Sequence, residues 1–177
     1  MSRSQLVPPT SSENAELYKK DFYSWARETA DLLRHGRLEE IDIHNLAEEI
    51  DDLGDEKRNK LVGLLGQSFA HLIKREYLSS TYPDNVARWR KDTEIFFKEG
   101  MRVLRKNPGL KGEFSEILEE SWEMARGEVY RAFDEFTREK DLDKYGIPEH
   151  CPWSEDQILS GTFVPEPPPE FELPELS

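Results

Sequence analysis

Apolar side chains return at every third or fourth residue through most of this chain. That spacing puts them on one face of an α-helix, whereas a half-buried strand would need them at every second position. From about Asn14 to His35 the set is Leu17, Tyr18, Phe22, Trp25, Thr29, Leu32 and Leu33, with Ser12 or Asn14 as candidate caps and His35-Gly36 as the stop. A second, shorter helix is expected from about Asp42 to Leu53, with Leu46, Ile50 and Leu53 inward and Gly54 ending it. A third runs from near Asp55 to about Tyr77, with Leu61, Leu64, Leu65, Ser68, Leu72 and Ile73 on one side, and with Gly63 and Gly66 allowing close packing. After the turn signal Ser79-Ser80-Thr81-Tyr82-Pro83, a fourth helix carries Val86, Trp89, Thr93, Phe96, Phe97 and Leu104 until Asn107-Pro108-Gly109 breaks it. The fifth extends from about Leu110 through Phe114, Ile117, Leu118, Trp122, Ala125 and Val129 to the region of Phe136.

The pattern predicts an all-α fold, a single-domain bundle of about five principal helices with a short C-terminal wrap and disordered ends. Residues 1–13, rich in Ser, Pro and Thr, read as a disordered leader, residues 14–164 as the helical domain, and residues 165–177 as an acidic, proline-rich tail. Between domain and tail, Tyr145-Gly146-Ile147-Pro148 and Cys151-Pro152-Trp153 lead to one turn of helix at Ser154 to Leu159, where Ser154 can cap and Glu155 and Asp156 suit a helix start. With 36% hydrophobic and 34% charged residues, each helix is expected to show one apolar stripe and a broad solvated face. No internal repeat interrupts the pattern.

No window approaches the roughly 18 consecutive apolar residues of a membrane span, and the first residues lack the apolar core of a secretory signal. Cytoplasmic residence is therefore expected. A lone cysteine, Cys151, excludes an internal disulfide framework and suits a reducing compartment. The net charge of −13 disfavours polyanionic partners, yet the charge is unevenly placed. Between Lys57 and Lys106, 12 Lys and Arg face 5 Asp and Glu, a local +7, which leaves −20 for the remainder. Acidic ends could neutralise the basic middle within the fold or across a dimer, or the middle could form a face for phosphate.

Three stretches carry a family resemblance. Leu17-Tyr18-Lys19-Lys20-Asp21-Phe22-Tyr23-Ser24-Trp25, Leu46-Ala47-Glu48-Glu49-Ile50 with Leu53-Gly54, and His71-Leu72-Ile73-Lys74, together with Trp89 and the ending around Cys151-Pro152, resemble the bacterial, largely cyanobacterial, domain of unknown function family 29. The resemblance covers about residues 16 to 165. It implies an all-helical fold and carries no established activity with it.

Two groups of residues are candidates for chemistry. Glu48 and Asp52 stand four apart on one helix face, with His44 four residues before Glu48 and Glu49 alongside, as ligands for a hard divalent cation would. The simpler reading is a solvated acidic face, held in a hairpin at Gly54 against Lys57, Arg58 and Lys60. The inward Glu-x-x-His pairs of di-metal bundles are absent, and no cofactor is expected beyond a possible divalent metal held by Glu48, Glu49, Asp52 and His71. In the second group His71 sits beside Gln67, Lys74 and Arg75, where it could act as a general base with Lys74 holding an anionic substrate. Alternatively its ring packs against the core and its nitrogens bond the backbone or Tyr77.

The run Arg88-Trp89-Arg90-Lys91 sets a stacking ring beside phosphate-binding charge, although Trp89 at helical spacing from Val86 and Thr93 is better placed as core. Cys151 follows His150, but adjacency in sequence does not make a catalytic dyad, and packing near Trp153 is the simpler role. Phosphate-binding loops, dinucleotide fingerprints and nucleophile elbows are all missing from the sequence. The reading is thus a non-catalytic protein–protein interaction module that binds a protein partner or a second copy. The alternatives are a metal-assisted hydrolase or small-ligand site built from the acidic and histidine residues, and a nucleic-acid accessory protein working through residues 57–106.

Overall fold

A computed structural model describes residues 11–79, 82–137 and 147–160, and side-chain surroundings are described as far as residue 132 within the last long helix. Most of the expected leader, Ser80-Thr81, Tyr145-Gly146, the Phe136 side chain and the acidic tail lie outside the described residues. Six α-helices occur among the described residues: α1 (Ser11–Lys20), α2 (Phe22–Arg34), α3 (Ile43–Leu78), α4 (Val86–Lys106), α5 (Phe114–Thr137) and α6 (Glu155–Leu159). The fold is all-α, as the periodicity predicts. Contacts cluster into two compact units, Met1–Asp55 and Glu56–Ser177.

In the first unit the expected opening helix is divided in two. Asp21 leaves helical geometry, and its carboxylate accepts from the Ser24 backbone N–H at 3.1 Å and the Ser24 hydroxyl at 2.5 Å, starting α2 afresh. At the far end α2 stops as predicted, with Gly36 at φ 68°, the left-handed conformation that costs a glycine little. α1 begins at Ser11, so Ser12 and Asn14 both stand inside the helix rather than before it.

Asn14 is instead fully buried and joins three segments. Its carbonyl oxygen accepts from Trp25 Nε1 and from the Asp42 backbone N–H, both at 3.1 Å, while its amide donates to the Thr29 hydroxyl at 3.2 Å. Trp25, Leu32 and Ile41 supply the buried apolar surface of this unit. Glu40, also buried, takes both arms of Arg37 in a bidentate pair.

The stop expected at Gly54 does not occur: α3 passes through it, fusing what the sequence presents as two helices. Gly36 is the one described glycine with positive φ, so Gly54 shows no left-handed turn. A glycine inside a helix costs about 1 kcal/mol relative to alanine, and the long apolar face that follows outweighs it.

That face forms the core of the second unit. Leu61, Leu65, Phe69 and Ile73 of α3 pack with Phe97, Val103 and Leu104 of α4 and with Phe114, Ile117, Trp122 and Val129 of α5. Phe69 lies 5.7 Å from Trp122 and 5.4 Å from Trp153, ring centre to ring centre, and the two tryptophans meet edge-on at 5.8 Å. Between α3 and α4, the Ser68 hydroxyl donates to the Thr93 carbonyl at 2.8 Å.

Gly66 permits the predicted close approach of α3 and α5, since a Cβ there would sit 2.8 Å from the Met124 methyl and 3.3 Å from the Ser121 carbonyl. Gly63 has nothing within 4 Å and plays no such part. α5 starts at Phe114 rather than Leu110, because a 3₁₀ segment, Pro108–Glu113, precedes it. The closing segment wraps as expected. Ile147, Trp153 and Ile158 are buried on the core, Trp122 Nε1 donates to the Pro148 carbonyl at 2.9 Å, and Ser154 caps α6 in a reciprocal pair with Gln157.

Candidate functional site

Burial sets the two units apart. Eight large apolar side chains are exposed among the described residues, and seven of them, Phe22, Tyr23, Leu33, Leu38, Ile43, Ile50 and Leu53, belong to the first unit. Phe22, Leu33, Ile50 and Leu53 line an open cleft of about 230 Å³ between α2 and the start of α3, with Trp25, Ala26, Thr29, Ala30, Leu46 and Glu49 completing it. The sequence places Phe22, Leu33, Ile50 and Leu53 inward, but they are 52%, 45%, 58% and 59% exposed. α3 continues as a helix through Gly54, so the expected hairpin does not form there, and within the first unit α2 is what faces this stripe.

Carboxylates border the cleft on the α3 side. Glu48, Asp51, Asp52 and Asp55 are exposed, and Glu49 reaches the cleft wall, where it accepts from the Tyr18 hydroxyl at 2.7 Å. That hydrogen bond, together with partial desolvation and the neighbouring charges of Glu49, Glu48 and Asp52, pushes the Tyr18 phenol up to about 12. His44 Nε2 lies 3.4 Å from Glu48 at the exposed end of the ladder.

Lys57 and Arg58, two of the basic residues expected across a hairpin from these acids, take partners within the second unit. Lys57 pairs with Glu56, while Arg58 pairs with Glu120 at 2.7 Å and Glu113 at 3.3 Å. The four residues considered for a metal divide between the units: Glu48, Glu49 and Asp52 lie in the first, and His71 in the second. Among the described residues no three His, Cys, Asp or Glu side chains gather as a metal site requires.

In the second unit the His71 ring stacks flat on Phe96, 5.7 Å between centres and 1° from parallel. Burial, and next the charge of Lys74, hold its pKa below the usual value, and its Nδ1 is buried without a hydrogen-bond partner. Lys74 gives its ammonium to Glu128 at 2.6 Å, and Gln67 donates to the other oxygen of the same carboxylate at 2.8 Å. Glu128 is thus the acceptor for two of the residues singled out beside His71. Lying more than fifty positions away in sequence, it offered no local signal.

Trp89 is half-buried against the core, and Thr93 is fully buried. Cys151 packs near Trp153, and burial pushes its thiol up to about 11, far from a reactive thiolate. His150 turns to Glu119 at 3.4 Å rather than to Cys151, and the same carboxylate accepts the Cys151 backbone N–H at 3.3 Å.

Helices are the regular structure of the described residues, with an apolar cleft open in the first unit and a buried aromatic core in the second, so the class of protein is all-α. Residues 17–164 match the family described as domain of unknown function DUF29, and the chain belongs to that family. No curated protein and no solved structure gives a significant match. No helix among the described residues is long and apolar enough to cross a membrane.

Proposed function

We propose that this chain is a non-catalytic protein–protein interaction module whose binding surface is the α2–α3 cleft of the first unit. The observation that carries the reading is the concentration of exposed large apolar side chains in the first unit, seven of the eight among the described residues, four of which line the cleft. Scattered surface hydrophobics are ordinary, but a contiguous set rimmed by charge marks a surface that another molecule covers. At about 230 Å³ the cleft is smaller than the roughly 300–1,000 Å³ of small-molecule sites. An open, apolar trough between two helices suits the side chains of an apposed helix. Its acidic border favours a partner that carries basic residues beside its apolar ones. The free thiol of Cys151 fits a protein working in the reducing cytoplasm.

A photo-crosslinking amino acid placed at Leu53 in the full chain, expressed in cells, tests the reading. A protein adduct that disappears when Ile50→Glu is added is the expected result. Complete absence of protein adducts, or adducts indifferent to Ile50→Glu, would sink it. Ile50 and Leu53 are exposed, so these changes should leave stability within about 0.5 kcal/mol of the parent.

A further inference from the structure

The eighth exposed large apolar residue, Ile95, lies on α4 in the second unit. With Ile95 inside the seven-residue gap between Lys91 and Lys98, the series Arg88, Lys91, Ile95, Lys98, Arg102 and Arg105 steps along the helix by threes and fours, and all are exposed. They therefore form one stripe along the outer face of α4, about 25 Å long at 1.5 Å per residue. The partners these cations have are close by on the same helix: Asp92 for Arg88 at 3.5 Å, Glu94 for Lys98 at 3.6 Å and Glu99 for Arg102. Exposed pairs of that kind are weak and easily exchanged. The stripe is thus an apolar centre in a basic border, the complement of the first unit's apolar cleft in an acidic border. The first 55 residues hold 13 Asp and Glu against 6 Lys and Arg.

We infer that the occupant of the cleft is a second copy of this chain, which seats Ile95 of its α4 among Ile50, Leu53 and Phe22 and sets Lys91 and Lys98 against Asp51, Asp52 and Glu48. The inference rests on the interaction-module reading and names its partner. Opposed charges would fix the register and speed encounter, and the apolar contact would supply affinity. Because the two surfaces differ, the contact is heterologous: every copy offers one of each, and assembly can continue past two unless it closes. A nucleic acid could also be drawn to the basic residues, but the isoleucine at the centre of the stripe and the net charge of −13 favour an acidic, apolar surface.

Sedimentation of the full-length protein with two double variants tests this. Ile50→Glu with Leu53→Glu disables the cleft, and Lys91→Glu with Lys98→Glu disables the stripe. Wild type is expected as a dimer or larger, and its self-association should weaken as salt is raised. Each variant alone should weaken self-association by on the order of tenfold or more. An equimolar mixture of the two should form a dimer and nothing larger, because one intact cleft meets one intact stripe. Asp51→Lys with Asp52→Lys, which leaves the apolar cleft intact, should behave as the cleft variant does. Circular dichroism and melting checks that every variant keeps its fold.

A wild type that stays monomeric, or a mixture of variants that does not pair, overturns the second-copy assignment. If crosslinking from Leu53 then captures a different protein in an Ile50-dependent way, the interaction module stands and only the assignment of its partner fails. If instead a fluorescent single-stranded oligonucleotide binds the monomeric wild type and loses binding with Lys91→Glu and Lys98→Glu, the stripe is a phosphate surface and the inference is wrong.

Discussion

The two units use the same residue types in opposite ways. In the second, Phe69, Phe114 and Trp122 are wholly buried and their neighbours come from three long helices and the closing wrap. In the first, Trp25, Leu32 and Ile41 are buried, an asparagine stands among them, and seven large apolar side chains stay in water. A core with room only for its own side chains shows what folding requires. The first unit leaves apolar area beyond that in water, more than half of its large exposed side chains at one cleft, the surface proposed above for a partner.

Substitutions can break this contrast, and the largest effect is expected in the second unit. Trp122→Ala removes the ring that Phe69 and Trp153 pack on and should cost about 3–5 kcal/mol in urea unfolding. Next, Asn14→Ala leaves the Trp25 indole N–H and the Asp42 backbone N–H without their acceptor, a loss of about 2 kcal/mol that hydrogen exchange of α1 and α2 amides should report first. A cost no larger than that of an exposed alanine substitution would mean that the buried amide does not hold the first unit together.

Gly54→Ala has the opposite sign. With helical backbone and open space around its Cα, alanine there should stabilise by about 0.5–1 kcal/mol. A loss of stability would restore the hairpin that the sequence suggests. The smallest effect is expected at Tyr18, which is exposed enough for water to screen it. Its folded pKa of about 12 lies above the ordinary phenol value of about 10, so the contribution is present below pH 10 and is lost as pH rises toward 12. Tyr18→Phe should remove one late-ionising phenol from the ultraviolet titration and leave that of Tyr77, which burial raises further, while Glu49→Gln should bring the Tyr18 midpoint down toward the usual value.

The helices were legible because periodicity and punctuation are local. Asn107-Pro108-Gly109 ends α4 and Ser154 caps α6 where the residues say. The break at Asp21 was missed because the apolar spacing runs on across it, and the cue was the aspartate standing three residues before Ser24. Gly54 misled for the converse reason: glycine permits a turn without requiring one. The division into two units left no composition signal either, because it falls between Asp55 and Glu56, inside α3 and not at a linker.

The site was less legible than the fold. Ile50 and Leu53 carry the spacing of core residues, and periodicity says that a face is apolar without saying what covers it. The acidic ladder was visible residue by residue, but the hydrogen bond from Tyr18 to Glu49 crosses thirty-one positions and had no local signature. His71 was recognisable as a residue beside the core, whereas its stack on Phe96 and the role of Glu128 depend on tertiary neighbours.

The open cleft also has a calorimetric consequence. Side chains such as Phe22, Ile50 and Leu53 are hydrated while the chain is folded, so unfolding exposes less new apolar surface than the composition of the first unit suggests. Its heat capacity of unfolding should fall below the roughly 12–15 cal/mol/K per residue usual for globular domains. The missing heat capacity should reappear with negative sign when a partner closes over the cleft.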